Sequence, residues 1–406
     1  MTPQAFSYPT VSNNGMIYCA PYGLTESIDF MLKFDPNKYT ITKIKLDVDS
    51  SKEKWQRGIV VGTKIYWLPY NEKSILVLDT KDDSIEHIDL GVPGTGKYIQ
   101  GHLYKNRLVA LPYGEHNEYN YVLDLLLTDN TFQLHKLNVP VKDTKRWHTT
   151  QLVDSIIYGM PRGENHDSLF PYRIEYDCFD SSYSLIDLSI HWNEYDKDRT
   201  CNKKFTTLAK VGNKLYAPPY SESKYFDVLA IKDKEWKYVK TNQQQTSRKY
   251  FAHTVATNGK IYFPPAGHDE NWSEMLVVDS DDNKWYTIDL GIGKESKKYF
   301  AGVENSRGKI YYIPRGGCVC EPEETWKSQG DLAEILVIDS NTDKHYTIDI
   351  GEYFKDSTTI EKYNNCVIKD DVIYAFPYGE SDSFQTVLIF DTIKEQVIKT
   401  VDLNDI

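Results

Sequence analysis

Short apolar runs broken by turn residues, not long amphipathic stripes, set the rhythm of this chain. The clearest runs are Ile75-Leu-Val-Leu-Asp79, Met275-Leu-Val-Val-Asp279, Ile335-Leu-Val-Ile-Asp339 and Val387-Leu-Ile-Phe-Asp391, each closed by an aspartate. About nine residues further on, an Ile-Asp-Leu type of phrase recurs at Ile88, Ile186, Ile288 and Ile348. Upstream of each run lies a second phrase: a basic or polar residue, Ile or Leu, usually Tyr, two variable residues and Pro. It reads Lys64-Ile-Tyr66-Trp-Leu-Pro69, Lys214-Leu-Tyr216-Ala-Pro-Pro219, Lys260-Ile-Tyr262-Phe-Pro-Pro265 and Lys309-Ile-Tyr311-Tyr-Ile-Pro314, with four looser copies ending at Pro21, Pro112, Pro161 and Pro377. About 14 residues before most of these prolines sits a basic–aromatic pair: Lys54-Trp55, Lys97-Tyr98, Arg146-Trp147, Lys204-Phe205, Lys249-Tyr250, Lys298-Tyr299 and Lys362-Tyr363.

Each segment is short and rich in Tyr, Val and Ile, and Asn-Gly, Asp-Asp or Asn-Thr-Asp separates it from the next, which is strand and hairpin chemistry. No segment shows an apolar stripe with a helical period of about 3.6 residues. Four strands in each of eight copies, at a mean period of about 51 residues, predict an all-β, eight-bladed β-propeller, with seven blades as the alternative because copies 4 and 5 are irregular. A four-stranded unit cannot bury both its faces alone, and radial packing buries them. The expected repeats are 5–47, 54–90, 97–139, 146–190, 204–241, 249–290, 298–350 and 362–403, forming one domain over 1–406. The chain starts and ends at the same point of the repeat, so the ring is expected to close by packing of the first blade on the last.

Period and strand order resemble kelch-type propellers. The resemblance covers essentially the whole chain at the level of the scaffold, with Pro-Tyr or Pro-Pro standing where the kelch repeat has Gly-Gly, and with Trp236 and Trp285 as the remaining repeat tryptophans. Phrases such as Ile338-Asp-Ser-Asn-Thr342 also resemble surface-layer-type bacterial propellers. Such families include adaptors and enzymes, so the resemblance implies a scaffold and leaves the activity open.

The chain carries 47 Lys+Arg against 59 Asp+Glu, a net charge of −12, which disfavours non-specific binding of nucleic acid. No apolar stretch is long enough for a membrane-spanning helix, and no secretory leader is visible at the N-terminus, so an intracellular, cytoplasmic setting is the expectation. Six cysteines in 406 residues do not form a disulfide framework.

In a propeller, the entrance to the innermost strand and the loop after the second strand open on one face. The repeat therefore predicts two rings there, the bases and the post-proline residues. Glu falls three residues after Pro at Glu72, Glu115, Glu164, Glu222 and Glu380, always in copies that also hold the base, which predicts Lys–Glu pairs fixing the loops. Copies 6 and 7 lack that acid and double the base. Arg248, Lys249, Lys297, Lys298, Arg315 and His268 then form a candidate positive site for an anionic ligand or an acidic segment of a partner. Trp326, in the long loop of copy 7, and Arg162, in copy 4, are further candidates. Tyr22, Tyr70, Tyr113, Tyr220 and Tyr378 follow the proline and are expected to form an exposed rim suited to a partner. Cys318-Val-Cys320 supplies two thiols where a structural zinc site needs four ligands, so no metal is expected, and no cofactor motif is present. His102, His148 and His253 fall in innermost strands and are expected to line the channel. No catalytic motif stands out. The favoured reading is a non-enzymatic scaffold recognising a protein through the loop face. The alternatives are an enzyme or small-ligand binder at the channel mouth, and a structural subunit.

Overall fold

In the computed structural model the chain forms eight four-stranded antiparallel sheets in a ring, so the seven-bladed alternative is excluded. The structure describes residues 6–23, 28–48, 53–114, 119–140, 145–162, 170–188, 205–219, 227–241, 250, 254–265, 273–291, 299–315, 333–354, 362–377 and 384–405. Blade 2 shows the pattern, with strands Trp55–Val61, Lys64–Pro69, Ser74–Asp79 and Ser84–Asp89 in sequence order from axis to rim. The first strands of successive blades touch around the axis, as with Thr10–Val11 against Trp55–Val61 and Tyr299–Glu304 against Tyr363–Lys369. Among the described residues, helix is limited to two short 3-10 turns, Gly351–Tyr353 and Leu403–Asp405, and no helix is long and apolar enough to cross a membrane.

The apolar runs are continuous because the third strand is buried on both faces. Side chains alternate along a strand. In blade 2, Ile75 and Val77 pack toward blade 3 with Leu108, Leu123 and Leu125, while Leu76 and Leu78 pack toward blade 1 with Tyr18 and Met31. Eight such clusters, each drawing on two adjacent blades, fill the eight seams. Each fully buried Leu, Val or Ile contributes about 1.5–3 kcal/mol. The seam between blades 8 and 1 is of the same kind: Ile17, Leu32 and Phe34 meet Tyr374, Phe376 and Ile389, and among the described residues no strand is shared between the two sheets.

The repeated tyrosine has a directional role. In each of five blades its hydroxyl reaches the next blade, at the residue of the outer hairpin that adopts positive φ. Tyr18 bonds Asp83 (3.1 Å), Tyr66 bonds Asn130 (3.1 Å), Tyr216 bonds Asn283 (2.9 Å), Tyr262 bonds Asp343 (2.8 Å) and Tyr311 bonds Glu395 (3.3 Å). All five acceptors have φ between 55° and 60°. Asp and Asn tolerate that left-handed conformation and offer a short side-chain acceptor, so one residue makes the turn and takes the clasp. Blade 3 has Val109 in this place, and there Arg107 reaches the Cys178 carbonyl of blade 4 instead. The aspartates of the Ile-Asp-Leu phrases end their strands by accepting a main-chain bond two residues on, as from Gly91 to Asp89 (2.8 Å) and from Gly351 to Asp349 (2.8 Å).

Candidate functional site

The basic–aromatic pairs and the post-proline residues meet on one face, but they form one collar, not two rings. Over blades 1–4, six main-chain bonds of 2.7–2.8 Å link them in alternation: Tyr22 to Lys54, Lys54 to Tyr70, Tyr70 to Lys97, Lys97 to Tyr113, Tyr113 to Arg146 and Arg146 to Arg162. The same link joins Arg315 of blade 7 to Lys362 of blade 8 (2.7 Å). Each blade's entrance residue is thereby held to the preceding blade's loop.

The bases of this collar are buried, with Lys54 and Lys362 at 0% exposure and Lys97 and Arg146 at 1%. Lys54 lies 3.6 Å from Glu72, the pairing the spacing predicts, and that pair is shielded from water. Lys97 donates to the main-chain carbonyls of Glu72 (2.9 Å) and Gly94, and Arg146 donates to that of Tyr119 (2.9 Å). Burial pushes the Lys97 ammonium down to about 8 although Glu72 acts in the opposite sense. These cations fasten loops and present no binding surface.

The expected exposed tyrosine rim is corrected in two places. Tyr70 and Tyr113 are 4% and 2% exposed and share a small core with Ile99. Their position after the proline turns them along the collar, where Tyr22 meets Tyr70 (6.1 Å) and Tyr113 meets His148 (5.8 Å) edge to face, and Tyr70 and Tyr113 (5.8 Å) pack tilted. Tyr22 is half-buried and donates to Glu53 (2.8 Å). Arg315 is buried as well, at 7% exposure. Arg248, Lys249, His268, Lys297, Lys298, Trp326, Tyr220 and Tyr378 lie outside the described residues, as do His253, Cys318 and Cys320. Among the described residues no His, Cys, Asp and Glu group is arranged to hold a metal.

What the structure does bring together is a cationic, histidine-bearing patch at the channel mouth over blades 2–5. Arg57 stands on the first strand of blade 2, its guanidinium 4.4 Å over the Tyr8 ring and its Nη1 donating to Gln100 (3.3 Å). Its Nε is buried with no hydrogen-bond partner, and among the described residues no carboxylate pairs with it. On blade 4, His148 packs against Tyr113, and the Arg162 guanidinium lies 5.8 Å from the centroid of that same ring. His148 Nδ1 is 3.2 Å from the Thr206 carbonyl of blade 5. A carbonyl only accepts, so Nδ1 carries the proton and Nε2 the lone pair. His102 of blade 3 bonds Thr150 of blade 4 through Nε2 (2.7 Å).

Both imidazoles are held neutral. For His148, burial first and then Arg162, Arg57 and Lys145 press the proton off, placing it well below the ordinary histidine range. For His102, burial and then Arg57 and Lys210 lower it to about 4. The charges that act on this pair most strongly are cationic, on a protein of net charge −12. Such a patch can attract an anion through its guanidinium groups. Arg162 and the two histidines carry sequence-level expectations into this site. Arg57 and Gln100 had no signal, because the repeat does not fix the residue at their position, which is Thr at Thr149 and Thr207, Ala at Ala252 and Ala301 and Asn at Asn365.

The fold is that of an eight-bladed β-propeller, and two solved structures resemble it with TM-scores above 0.5. Dihydro-heme d1 dehydrogenase NirN superposes with a TM-score of 0.59 at 8% identity, covering 93% of this chain and 72% of that one. Sqt1 from Saccharomyces cerevisiae gives 0.52 at 10% identity, covering 83% and 82%. Virginiamycin B lyase from Staphylococcus aureus gives 0.48 at 12% identity, covering 77% and 92%. At these identities the likeness to the first two is one of fold alone. No family model matches the chain and no curated protein matches it, so the kelch resemblance stays at the level of architecture.

Proposed function

We propose that this chain is a binding propeller that takes an anionic group, a phosphate, sulfate or carboxylate, at the channel mouth over blades 2–5. Arg57 carries the reading: a guanidinium on an innermost strand with an unengaged Nε and no carboxylate partner among the described residues, set beside two neutral imidazoles. Arg162, 5.8 Å over the Tyr113 ring, adds a second guanidinium on blade 4. The buried bases of the collar support the same choice, since they leave the repeated Lys-aromatic phrases with a structural task.

The test is calorimetric titration of inorganic phosphate into wild type and Arg57→Gln at constant ionic strength. Saturable binding that weakens at least about ten-fold in the variant is expected, the effect of losing one charge-assisted contact. Equal heats from both proteins would refute the site.

A further inference from the structure

We infer that the outer rim at the seam between blades 5 and 6 is a docking groove for an extended acidic segment of a partner protein, laid along the edge of strand Glu235–Val239. The groove belongs to the outermost strand of its blade, and it does not depend on the anion site at the channel mouth.

The seam opens here because the repeat changes at two positions. On blades 6 and 7 the outermost strand carries a tyrosine that crosses to the next blade's turn. Tyr286, opposite Val277, donates to Asp343 (2.6 Å), and Tyr346, opposite Val337, bonds Glu395. On blade 5 the same position, opposite Ala230, holds Lys237. The turn it faces offers Asn283 in place of the acid, and Tyr216 already bonds that side chain (2.9 Å). Lys and Ala thus replace a tyrosine plug and a valine. A groove of about 480 Å³ remains, within the size range of ligand sites.

Its walls decide what fits. One is formed by residues 237–240 and the other by residues 282–285. Side chains alternate across a strand, so a groove touched by four consecutive residues runs along the strand's edge and not over one face. That strand is the last of its sheet, and among the described residues no further strand pairs with it. Main-chain groups on such an edge pair with an incoming extended chain. Trp285 ties the two walls together, its Nε1 donating to the Lys240 carbonyl (3.0 Å).

Charge selects the chain that can be added. Lys237, Lys240 and Lys284 line the groove against a single carboxylate, Asp282, on a protein of net charge −12. Lys240 is paired with Asp227 (3.0 Å) and Lys284 with Asp282 (2.6 Å). Lys237 is exposed, and among the described residues no carboxylate pairs with it. Lysines on a strand edge repel another lysine-bearing edge, that of a second copy included, and attract a strand bearing Asp or Glu.

The probe is a fluorescein-labelled peptide of four Glu-Thr repeats, followed by anisotropy with the whole chain. Saturable binding is expected, weakening as salt rises from about 50 to about 300 mM. Lys237→Tyr, which installs the plug of blades 6 and 7, should weaken it at least about ten-fold. Arg57→Gln should leave it unchanged, so this inference and the anion site fail separately. The same peptide N-methylated at every residue keeps the charge and loses the main-chain donors. It should bind wild type at least about ten-fold more weakly, a comparison that needs no variant. Hydrogen exchange should slow in residues 235–240 when the parent peptide is bound. Equal affinity for the N-methylated peptide would mean that charge alone holds the ligand, as it would an acidic polysaccharide, and overturns strand addition. Binding indifferent to Lys237→Tyr, protection confined to other segments, or no binding overturns the groove.

Discussion

Replacing Asp343 by Ala should loosen the seam between blades 6 and 7 more than any exposed change on the same turn. Its carboxylate accepts from Tyr262 (2.8 Å), Tyr286 (2.6 Å) and Lys260 (2.8 Å), and its side chain is 25% exposed. A hydrogen bond to a charged group contributes about 1.5–3 kcal/mol when shielded. Lys260 is 24% exposed and regains water, and Tyr262 keeps a second acceptor in the Ser340 carbonyl (3.1 Å), so the three bonds do not add in full. A net loss of about 3 kcal/mol is expected. With an unfolding entropy of about 2.1 cal/mol/K per residue, that lowers the midpoint of a cooperative transition by about 3 °C. Urea denaturation followed by tryptophan fluorescence gives the free energy more directly. Asp343→Asn should cost about half as much, because Asn283 and Asn130 already serve the equivalent clasps of Tyr216 and Tyr66, losing chiefly the bond from Lys260. A cycle with Tyr262→Phe should show a coupling of about 1 kcal/mol. Burial pushes the Asp343 carboxyl upward, but the bonds from Lys260, Tyr286 and Tyr262 outweigh it and hold it below 3.8. Its contribution is therefore complete above the ordinary carboxylate pKa and disappears as pH falls through the depressed value. A loss for Asp343→Ala no larger than for Asp282→Ala, on the same face, or zero coupling to Tyr262, would refute the clasp.

Two further outcomes follow from the inner strands. His102 is lowered to about 4 in the folded protein against 6.5 unfolded, so the unfolded chain binds the extra proton between those values and stability falls as pH drops through them. His102→Gln should flatten that decline by up to about 3 kcal/mol, read from urea midpoints across the acid range, and an unchanged slope would place the acid sensitivity elsewhere. Gly58→Ala would set a Cβ 2.5 Å from Thr10 Oγ1 and 2.7 Å from Trp67 Nε1, where inner strands of blades 1 and 2 converge, whereas Gly62→Ala at φ +59° meets no atom within 4 Å. The first should lose about 1–3 kcal/mol by overpacking and the second about 1 kcal/mol by backbone strain, and the reverse order in denaturation midpoints would contradict the packing described.

The scaffold was legible because its determinants recur. Ile75 to Leu78, or Ile335 to Ile338, must be apolar at every position, since successive side chains enter different seams. The tyrosine before the proline recurs because its hydroxyl meets the same turn in the next blade. The site was less legible for the converse reason. Arg57, Gln100 and Thr150 occupy positions that the repeat leaves variable, and only the convergence of inner strands puts them beside His148. The loop-fixing task of the bases was legible, as the Lys54–Glu72 pair shows, but their burial was not. Lys54, Lys97 and Arg146 carry full charges and invite an exposed reading, yet neighbouring loops turn carbonyls and Glu72 toward them and take them inside. Tyr70 and Tyr113 follow them inward, because the collar that holds the lysines also covers the rings.

The collar has a consequence for how the mouth can be tuned. Over blades 1–4 its links run through main-chain N–H and C=O groups, so the aperture there is a fixed frame and does not dilate like an iris when something enters. Size and charge selectivity must then reside in the side chains that project past the frame. Arg57, Gln100 and Thr150 contribute nothing to those links, and exchanging them would re-key the lock while leaving the door frame in place.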